Sequence, residues 1–366
     1  MKRRIILAVL LIVISAAVSA CSGGTNIADP PAAPKGTPLP GTYTLGAYEY
    51  QLFADGSAVI TKYSGEDEEL TIPSKLAGHT VKVIGHSAFK YCYSLTSITL
   101  PDSITSIAEY AFCECAGLAS ITLPGSITTI GDYSFEKCGS LTSITLPDSI
   151  TYLGANPWRD CENLATINVS PDHPSLAAID GVLYSEADKR LIWYPMTSKA
   201  TAFEVPDGIQ SIGDSAFNGC TSLTLITLPD SVTNIGDHAF AECSSLTSIT
   251  LPDSVTSIGY WAFINCSSLI SITLPNSVTS IGDGAFSFCT GLTAITQTDS
   301  ITSIGDWAFS YCTSLTTIRL SGSVTHIGEA AFSGCKSLTV IVPEGSYAEQ
   351  YCKDNGLPCQ YPDSLD

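Results

Sequence analysis

Hydrophobic side chains recur along this chain with a period of 23 residues, and each recurrence contains a phenylalanine followed three residues later by a cysteine. The stretch from Leu246 to Cys266 shows the unit in full, Leu-x-x-Ile-x-Leu-Pro-x-x-Val-x-x-Ile-Gly-x-x-Ala-Phe-x-x-Cys. A fixed period of this length is typical of a solenoid of stacked coils. The aromatic and cysteine pairs are Phe89/Cys92, Phe112/Cys115, Phe135/Cys138, the variant Trp158/Cys161, Phe217/Cys220, Phe240/Cys243, Phe263/Cys266, Phe286/Cys289, Phe309/Cys312 and Phe332/Cys335.

Each unit also contains a short segment in which apolar and polar residues alternate. Ile249 and Leu251 alternate with Ser248 and Thr250, which predicts a strand with the two apolar side chains pointing inward. Equivalent strands in successive coils would lie about 4.8 Å apart in a parallel sheet. A single unit cannot bury enough apolar surface to fold, so its stability must come from its neighbours.

A glycine follows the second isoleucine of most units, and Ala108 takes this position once. The glycine indicates either a positive φ or a close approach between backbones. We expect the remainder of each coil to return through turns or a short helical piece.

Both ends of the repeat array carry signals for caps. Tyr48 to Phe53 and Ser57 to Tyr63 alternate around Asp55-Gly56, which predicts an N-terminal hairpin. Ser346 followed by Glu349 is a capping box, and Asn355-Gly356 is a helix stop, so a C-terminal helical cap is expected within 343–366. The region 43–366 is therefore predicted to be one solenoid domain.

The repeat motif resembles the BspA-like leucine-rich repeats of bacterial surface proteins, also called the Treponema pallidum type. The resemblance covers about residues 66–345. It implies an α/β-type leucine-rich repeat solenoid with a parallel sheet on its concave side, and a surface role in adhesion or protein binding. The defining positions of this family are structural, so the resemblance supplies no catalytic residue.

The N-terminus has the features of an export signal. Lys2, Arg3 and Arg4 precede an apolar run, and small residues lead to Cys21. The apolar run is shorter than the ~20 residues of a membrane span, so we predict a lipoprotein signal peptide at 1–20 with lipid attachment at Cys21. A plain signal peptide with a free Cys21 is the alternative. Residues 21–42 are rich in proline and predict an extended, lipid-anchored linker to the bacterial membrane.

The 23-residue period is interrupted once, because Phe217 lies 59 residues after Trp158, which is one period plus 36 residues. Gly181 to Tyr184 and Leu191 to Tyr194 predict a β-hairpin within an insertion at about 170–204. Trp193 and Tyr194 then contribute to a ligand site, or they pack on the adjoining coils. Insertions recur in the resembled family, which favours the structural interpretation.

The chain has 14 cysteines, yet their spacing argues against a disulfide framework. Ten of them occupy one equivalent position per coil and predict a ladder of reduced, buried thiols, because parallel side chains give poor disulfide geometry. Cys352 and Cys359 are candidates for a terminal bridge. The spacing of the cysteines does not favour a metal site.

The outward positions of the predicted strands are rich in hydroxyls and nearly uncharged. This face is the candidate ligand-binding surface, with the alternative that Ser and Thr are merely compatible with strands. Its candidate binding residues are Thr99, Thr122, Thr145, Thr227, Thr250, Thr273, Thr296 and Arg319.

Aromatic residues two positions from the repeat phenylalanines cover seams between coils or stack on sugars. Aspartates that follow the repeat glycine are turn residues that accept local backbone hydrogen bonds, or they hold Ca²⁺. We favour the interpretations that the aromatic residues cover seams between coils and that the aspartates are turn residues.

Acidic residues outnumber basic ones by 35 to 16. Loss of three positive charges with the signal peptide changes the formal net charge from −19 to −22. Nucleic acid is therefore not an expected partner. The five histidines fall at unrelated positions of the repeat, and neither an enzyme motif nor a cofactor motif is present in the sequence. The sequence predicts a non-enzymatic, surface-displayed protein that binds an extracellular or host protein, with an envelope scaffold or a glycan-binding protein as alternatives.

Overall fold

The computed structural model describes residues 39–296 and 299–362. The predicted signal peptide, Cys21 and nearly all of the linker lie outside these ranges. Within them the chain coils into a parallel β-solenoid with two ladders of short strands. The fold class predicted from the 23-residue period is confirmed.

The first ladder runs along the face that carries the outward hydroxyls. In Ser248–Thr250, for example, Ile249 is buried and its two neighbours are exposed, because successive side chains of a strand point to opposite faces. Paired strands keep the register of the repeat, so Thr227 lies beside Thr250. The strands are β4 (Glu69–Thr71), β7 (Ser97–Thr99), β9 (Ser120–Thr122), β11 (Ser143–Leu146), β13 (Thr166–Val169), β17 (Ala202–Glu204), β19 (Leu225–Thr227), β21 (Ser248–Thr250), β23 (Ser271–Thr273), β25 (Ala294–Thr296), β27 (Thr317–Arg319), β29 (Thr339–Ile341) and β30 (Cys359–Gln360).

The second ladder consists of two-residue strands that end at the isoleucine before the repeat glycine. The rest of each return is made of turns, and the described residues contain no helix between coils. The term α/β-type therefore fits the described chain only because of the C-terminal helix. The strands are β8 (Ser106–Ile107), β10 (Thr129–Ile130), β12 (Tyr152–Leu153), β18 (Ser211–Ile212), β20 (Asn234–Ile235), β22 (Ser257–Ile258), β24 (Ser280–Ile281), β26 (Ser303–Ile304) and β28 (His326–Ile327).

The N-terminal cap is an antiparallel meander that leads into the second ladder. The predicted hairpin is formed by β2 and β3, and a further edge strand, β1, pairs with β2. Strand β3 then pairs in parallel with β6, and β5 pairs with β6. The strands are β1 (Tyr43–Leu45), β2 (Tyr48–Leu52), β3 (Ala58–Tyr63), β5 (Lys75–Leu76) and β6 (His79–Ile84).

The C-terminal cap is helix α1 (Tyr347–Asn355). The Ser346 hydroxyl accepts a hydrogen bond from the backbone N–H of Glu349, and Gly356 ends the helix in the left-handed conformation. The Glu349 carboxylate accepts the backbone N–H of Gly345 at 2.8 Å. These bonds satisfy backbone groups at both helix ends, as the capping signals predict.

The insertion is a second antiparallel meander, formed by β14 (Leu176–Ile179), β15 (Val182–Ser185) and β16 (Arg190–Trp193). It repeats the arrangement of the N-terminal cap. Strand β16 pairs in parallel with β18, as β3 does with β6. The Tyr194 ring lies 5.2 Å from the Phe217 ring, and the Tyr63 ring lies 5.2 Å from Phe89. The meander therefore starts the second set of coils in the same way that the cap starts the first.

Buried apolar residues form two large clusters that meet at this meander. Leu183, Ile192 and Trp193 pack with the coils on its N-terminal side. Leu191 and Tyr194 pack with the coils on its C-terminal side. Strands β15 and β16 are buried throughout, so both of their faces are covered by core.

The repeat glycines serve close approach between coils, and the alternative of a positive φ is wrong. A Cβ atom on Gly259 would lie 2.6 Å from the carbonyl carbon of Gly236 in the preceding coil. Positive φ values occur instead two residues before the repeat phenylalanine, at bulky residues such as Tyr110 and Trp261. Gly284 occupies this position in one coil.

Candidate binding surface

The threonine row consists of Thr99, Thr122, Thr145, Thr227, Thr250, Thr273 and Thr296, with Arg319 at its C-terminal end. All eight side chains are exposed on the first ladder, each two residues after another outward position. Parallel pairing holds Thr227 beside Thr250 and Thr273 beside Thr296. The ladder is interrupted between β13 and β17, where the meander enters. The structure thus brings the predicted residues together in two groups, with Thr99 to Thr145 before the meander and Thr227 to Arg319 after it.

The Thr227 and Thr250 hydroxyls of this row differ from those of other threonine columns, whereas the Thr145 hydroxyl accepts a hydrogen bond from the Asn168 amide at 3.4 Å. In a neighbouring column, Thr247 donates its hydroxyl hydrogen to the Thr224 carbonyl at 3.0 Å. On the second ladder, Thr256 donates to the Thr233 carbonyl at 3.2 Å. Within the described part of the chain, the Thr227 and Thr250 hydroxyls have no hydrogen-bond partner. The row therefore offers donors and acceptors to an external ligand.

Two exposed aliphatic side chains lie beside the second group of the row. Leu225 is 45% exposed on the same face of β19 as Thr227, and Ile270 is 55% exposed immediately before β23. The repeat places Thr or Ala at most equivalent positions of Ile270, so this isoleucine departs from the pattern. Exposed aliphatic groups among hydroxyls provide the mixed surface that protein interfaces use.

Trp193 and Tyr194 are 3% and 4% exposed, so neither ring is presented to a ligand. Trp193 belongs to the N-terminal core, and Tyr194 stacks on Phe217. Their burial supports the structural interpretation of the insertion. The alternation of core sides along β16 is not visible in the sequence, because both faces are apolar.

The repeat cysteines are free thiols, and all of them except the partly buried Cys92 lie in the core. Eight of them donate to the carbonyl of the repeat phenylalanine one coil earlier, as Cys266 does to Phe240 at 3.1 Å, whereas the Cys220 thiol lies 3.9 Å from the Tyr194 carbonyl. Burial raises the pKa of Cys243 to about 12, so the reactive thiolate is suppressed. Cys352 and Cys359 are also free thiols, so the candidate terminal bridge is absent from the structure.

The aspartates after the repeat glycine form hydrogen bonds between coils rather than within their own turns. Asp214 accepts the backbone N–H of Asp237 at 2.9 Å, and Asp237 accepts that of Tyr260 at 2.8 Å. The expectation of purely local bonds is therefore wrong. Among the described residues, no cluster of three or more acidic, histidine or cysteine side chains could hold a metal ion.

Most aromatic residues beside the repeat phenylalanines pack between coils, as expected. The Tyr110 and Tyr133 rings lie 5.5 Å apart, and the Phe288 and Tyr311 rings 4.8 Å apart with nearly parallel planes. These contacts cover the seams. Tyr91 is an exception, because half of its surface is exposed.

A sequence profile that describes the BspA-type leucine-rich repeat region, in six copies, matches residues 78–180, 194–289 and 262–352. These matches cover more than half of the chain and omit the core of the buried hairpin. The chain belongs to the BspA-type leucine-rich repeat family. None of the curated proteins shows significant sequence similarity to this BspA-type chain.

Several solved structures are similar to this chain. A leucine-rich repeat protein from Eubacterium ventriosum is 25% identical, with a TM-score of 0.60, over 82% of this chain and 95% of its own. The pneumococcal vaccine antigen PcpA is 21% identical, with a TM-score of 0.62, over 89% of this chain and 99% of its own. A leucine-rich cell surface protein from Faecalibacterium prausnitzii is 28% identical, with a TM-score of 0.46, over 86% and 97% of the two chains.

Helix α1 has only nine residues. In the ranges that the structure describes, no helix has the length and apolar character needed to cross a bilayer.

Proposed function

We propose that this BspA-type protein is displayed on the cell surface and binds proteins through the threonine row, as an adhesin for host or neighbouring-cell proteins. The observation that carries the proposal is the group formed by Leu225, Thr227, Thr250, Ile270 and Thr273. Its hydroxyls lack internal partners, and its two aliphatic side chains are about half exposed. Aliphatic groups within a polar rim are the usual composition of a protein-binding surface.

The experiment is a capture assay with the mature chain against immobilised extracellular-matrix proteins and mucin glycans. We expect the triple variant Thr227→Lys, Thr250→Lys and Thr273→Lys to lose capture of its protein ligand. Three long charged side chains would block close approach and leave desolvated charges in the interface.

The matched control places the same three charges on another exposed face of the same part of the solenoid, as Thr221→Lys, Ser267→Lys and Thr290→Lys. This variant should retain capture. Equal loss in both triple variants would indicate a general charge effect and contradict the assignment of the surface. Absence of any protein capture by the wild-type chain would favour the envelope scaffold.

Display at the surface is proposed to depend on lipid attachment at Cys21, which precedes the described residues. The support is the basic, apolar and small-residue order of residues 2–21. Replacement Cys21→Ser should abolish incorporation of labelled palmitate and release the chain into the medium. Retention of the label by the variant would contradict the anchor.

A further inference from the structure

The first repeat coil carries two tyrosines, Tyr91 and Tyr93, that its neighbours do not cover. They are 50% and 59% exposed, and their ring centroids lie 6.0 Å apart with the planes tilted by 35°. Elsewhere in the solenoid, aromatic residues in the column of Tyr91 stack on each other, as Phe288 does on Tyr311. Tyr91 and Tyr93 together form an open aromatic surface on the phenylalanine turn of this coil.

Tyr93 is a departure from the repeat. It lies four residues after Phe89, and the same position in every other coil is small or polar. The equivalent residues are Ala116, Gly139, Glu162, Thr221, Ser244, Ser267, Thr290, Thr313 and Lys336. Because the solenoid forms these turns without an aromatic side chain there, coil packing does not account for Tyr93.

Tyr91 has a φ of +68°, in the left-handed region that disfavours bulky side chains. Glycine fills the same column at Gly219 and Gly334. The backbone of Tyr91 is fixed by its N–H, which donates to the Cys113 carbonyl at 3.0 Å. The left-handed turn thus holds a large ring at the surface in a defined position, at a site where glycine would be less strained.

Charged groups of both signs lie near Tyr91 and Tyr93. The Lys90 ammonium lies 4.9 Å from the Tyr91 ring centroid, and Lys137 lies 4.0 Å from the Glu114 carboxylate in the adjoining coil turns. Ala116, at the equivalent position of the next coil, is exposed and carries only a methyl group. The Lys90 ammonium lies over the Tyr91 ring, and both tyrosine side chains remain half exposed or more. Aromatic faces beside hydrogen-bonding groups suit a ligand that has apolar C–H faces and an edge of hydroxyls.

We propose that Tyr91 and Tyr93 form a binding platform for a neutral saccharide, with Lys90 and Glu114 contacting its hydroxyls. A pyranose ring has the required C–H face, and the excess of 35 acidic over 16 basic residues disfavours anionic glycans. This site is separate from the threonine row and does not depend on the proposed adhesion function.

The test is isothermal titration calorimetry of the full mature chain with maltotetraose, cellotetraose and chitotetraose. The wild type should bind at least one of them, and Tyr93→Ala and Tyr91→Ala should each weaken that binding by about tenfold, the effect of one lost aromatic stack. Tyr93→Phe should retain binding, because it keeps the ring. Thermal melts of all variants check that the solenoid is intact.

Tyr347→Ala provides a matched control, because Tyr347 is 45% exposed on α1 at the other end of the chain. Both this variant and Thr250→Lys should bind the saccharide as the wild type does. The proposal is overturned by absence of binding to all three saccharides, or by binding that survives both Tyr→Ala changes. Loss of protein capture in Tyr93→Ala without saccharide binding would assign the platform to a protein partner instead.

Discussion

The thiol of Cys266 donates a hydrogen bond to the backbone carbonyl of Phe240, one coil earlier, at 3.1 Å. The same carbonyl accepts the backbone N–H of Cys243 within its own coil. The cysteine column therefore joins adjacent coils through a backbone acceptor and also fills the core. A buried donor and acceptor that pair contribute to stability, whereas loss of the donor leaves the carbonyl under-satisfied.

Cys220 supplies the control for this bond, because its thiol lies 3.9 Å from the Tyr194 carbonyl. Cys266→Ala and Cys220→Ala remove similar buried volume, but only the first removes a short hydrogen bond. We expect Cys266→Ala to lower the free energy of unfolding by about 0.5–1 kcal/mol more than Cys220→Ala. Urea denaturation of both variants measures the difference. Equal losses would show that the thiol acts only by filling space.

Trp193 and Tyr194 are neighbours in sequence but belong to different cores. Replacement of either by alanine should cost about 3–5 kcal/mol, because each ring is almost fully buried. We expect Trp193→Ala to accelerate amide hydrogen exchange mainly in 50–176. Tyr194→Ala should act mainly in 205–352.

Hydrogen exchange with mass spectrometry resolves the two regions within one sample. Phe112→Ala and Phe263→Ala are the references, since each removes a ring from the interior of one core. If Trp193→Ala and Tyr194→Ala both accelerate exchange along the whole chain, the solenoid unfolds as one unit. The two core clusters would then not be separate units of stability.

The sequence is sufficient to predict the first ladder, because the 23-residue period itself determines which residues pair. The second ladder was not predicted, because its strands are only two residues long and show no alternation. Ser271 lies beside Ala294, one period later, as the alignment of units requires. The N-terminal hairpin and the C-terminal helix also follow from local signals, namely Asp55-Gly56 and the Ser346 to Glu349 box. These features depend on short-range geometry and on repetition, which a sequence displays directly.

The left-handed turn positions were harder to predict, because bulky residues such as Tyr91 and Trp261 occupy them. The signal was present in other coils, where Gly219, Gly284 and Gly334 occupy the same columns. The prominent glycine column at Gly259 has a different cause, close contact with the preceding coil. The two-sided burial of β16 was also hidden, since a strand covered on both faces shows no alternation.

Gly259 has no room for a side chain, and this makes its replacement informative. A Cβ atom would lie 2.6 Å from the Gly236 carbonyl carbon and 2.7 Å from the Asp237 nitrogen. We expect Gly259→Ala to destabilise the protein by about 1–3 kcal/mol through overpacking. Ala108 occupies the equivalent position in one coil, so the fold accommodates a methyl group there and we expect Gly259→Ala to fold.

Gly125→Ala is the control, because nothing lies within 4 Å of the added methyl group and φ is not positive. Its free energy of unfolding, measured by urea titration, should lie within about 0.5 kcal/mol of the wild-type value. A Gly259→Ala variant as stable as Gly125→Ala would mean that the column of glycines is not required for coil spacing.

Asp237 makes the stability of the solenoid depend on pH. Burial, with the Asp214 carboxylate as the second cause, raises the pKa of Asp237 to about 6, although its bond from the Tyr260 N–H opposes the shift. An unfolded aspartate has a pKa near 3.9. Between these two values the folded state binds more protons than the unfolded state, so stability falls as the pH rises from about 4 to 6 and then levels off.

Asp237→Asn should remove this loss, because an amide oxygen can still accept the Tyr260 N–H but carries no charge. We expect the variant to gain about 1 kcal/mol over the wild type at pH 7, after allowance for solvent screening, and to show a smaller gain at pH 4. Melting temperatures of the variant and the wild type between pH 4 and pH 7 measure both gains in stability. Asp283→Asn is the control for the substitution itself, because it alters the same type of bond two coils away. There the backbone N–H of Asp306 donates to the Asp283 carboxylate at 2.9 Å. A gain in Asp237→Asn that is the same at pH 4 and pH 7 would contradict a protonation origin, because protonation at Asp237 requires the gain to grow as the carboxylate ionises.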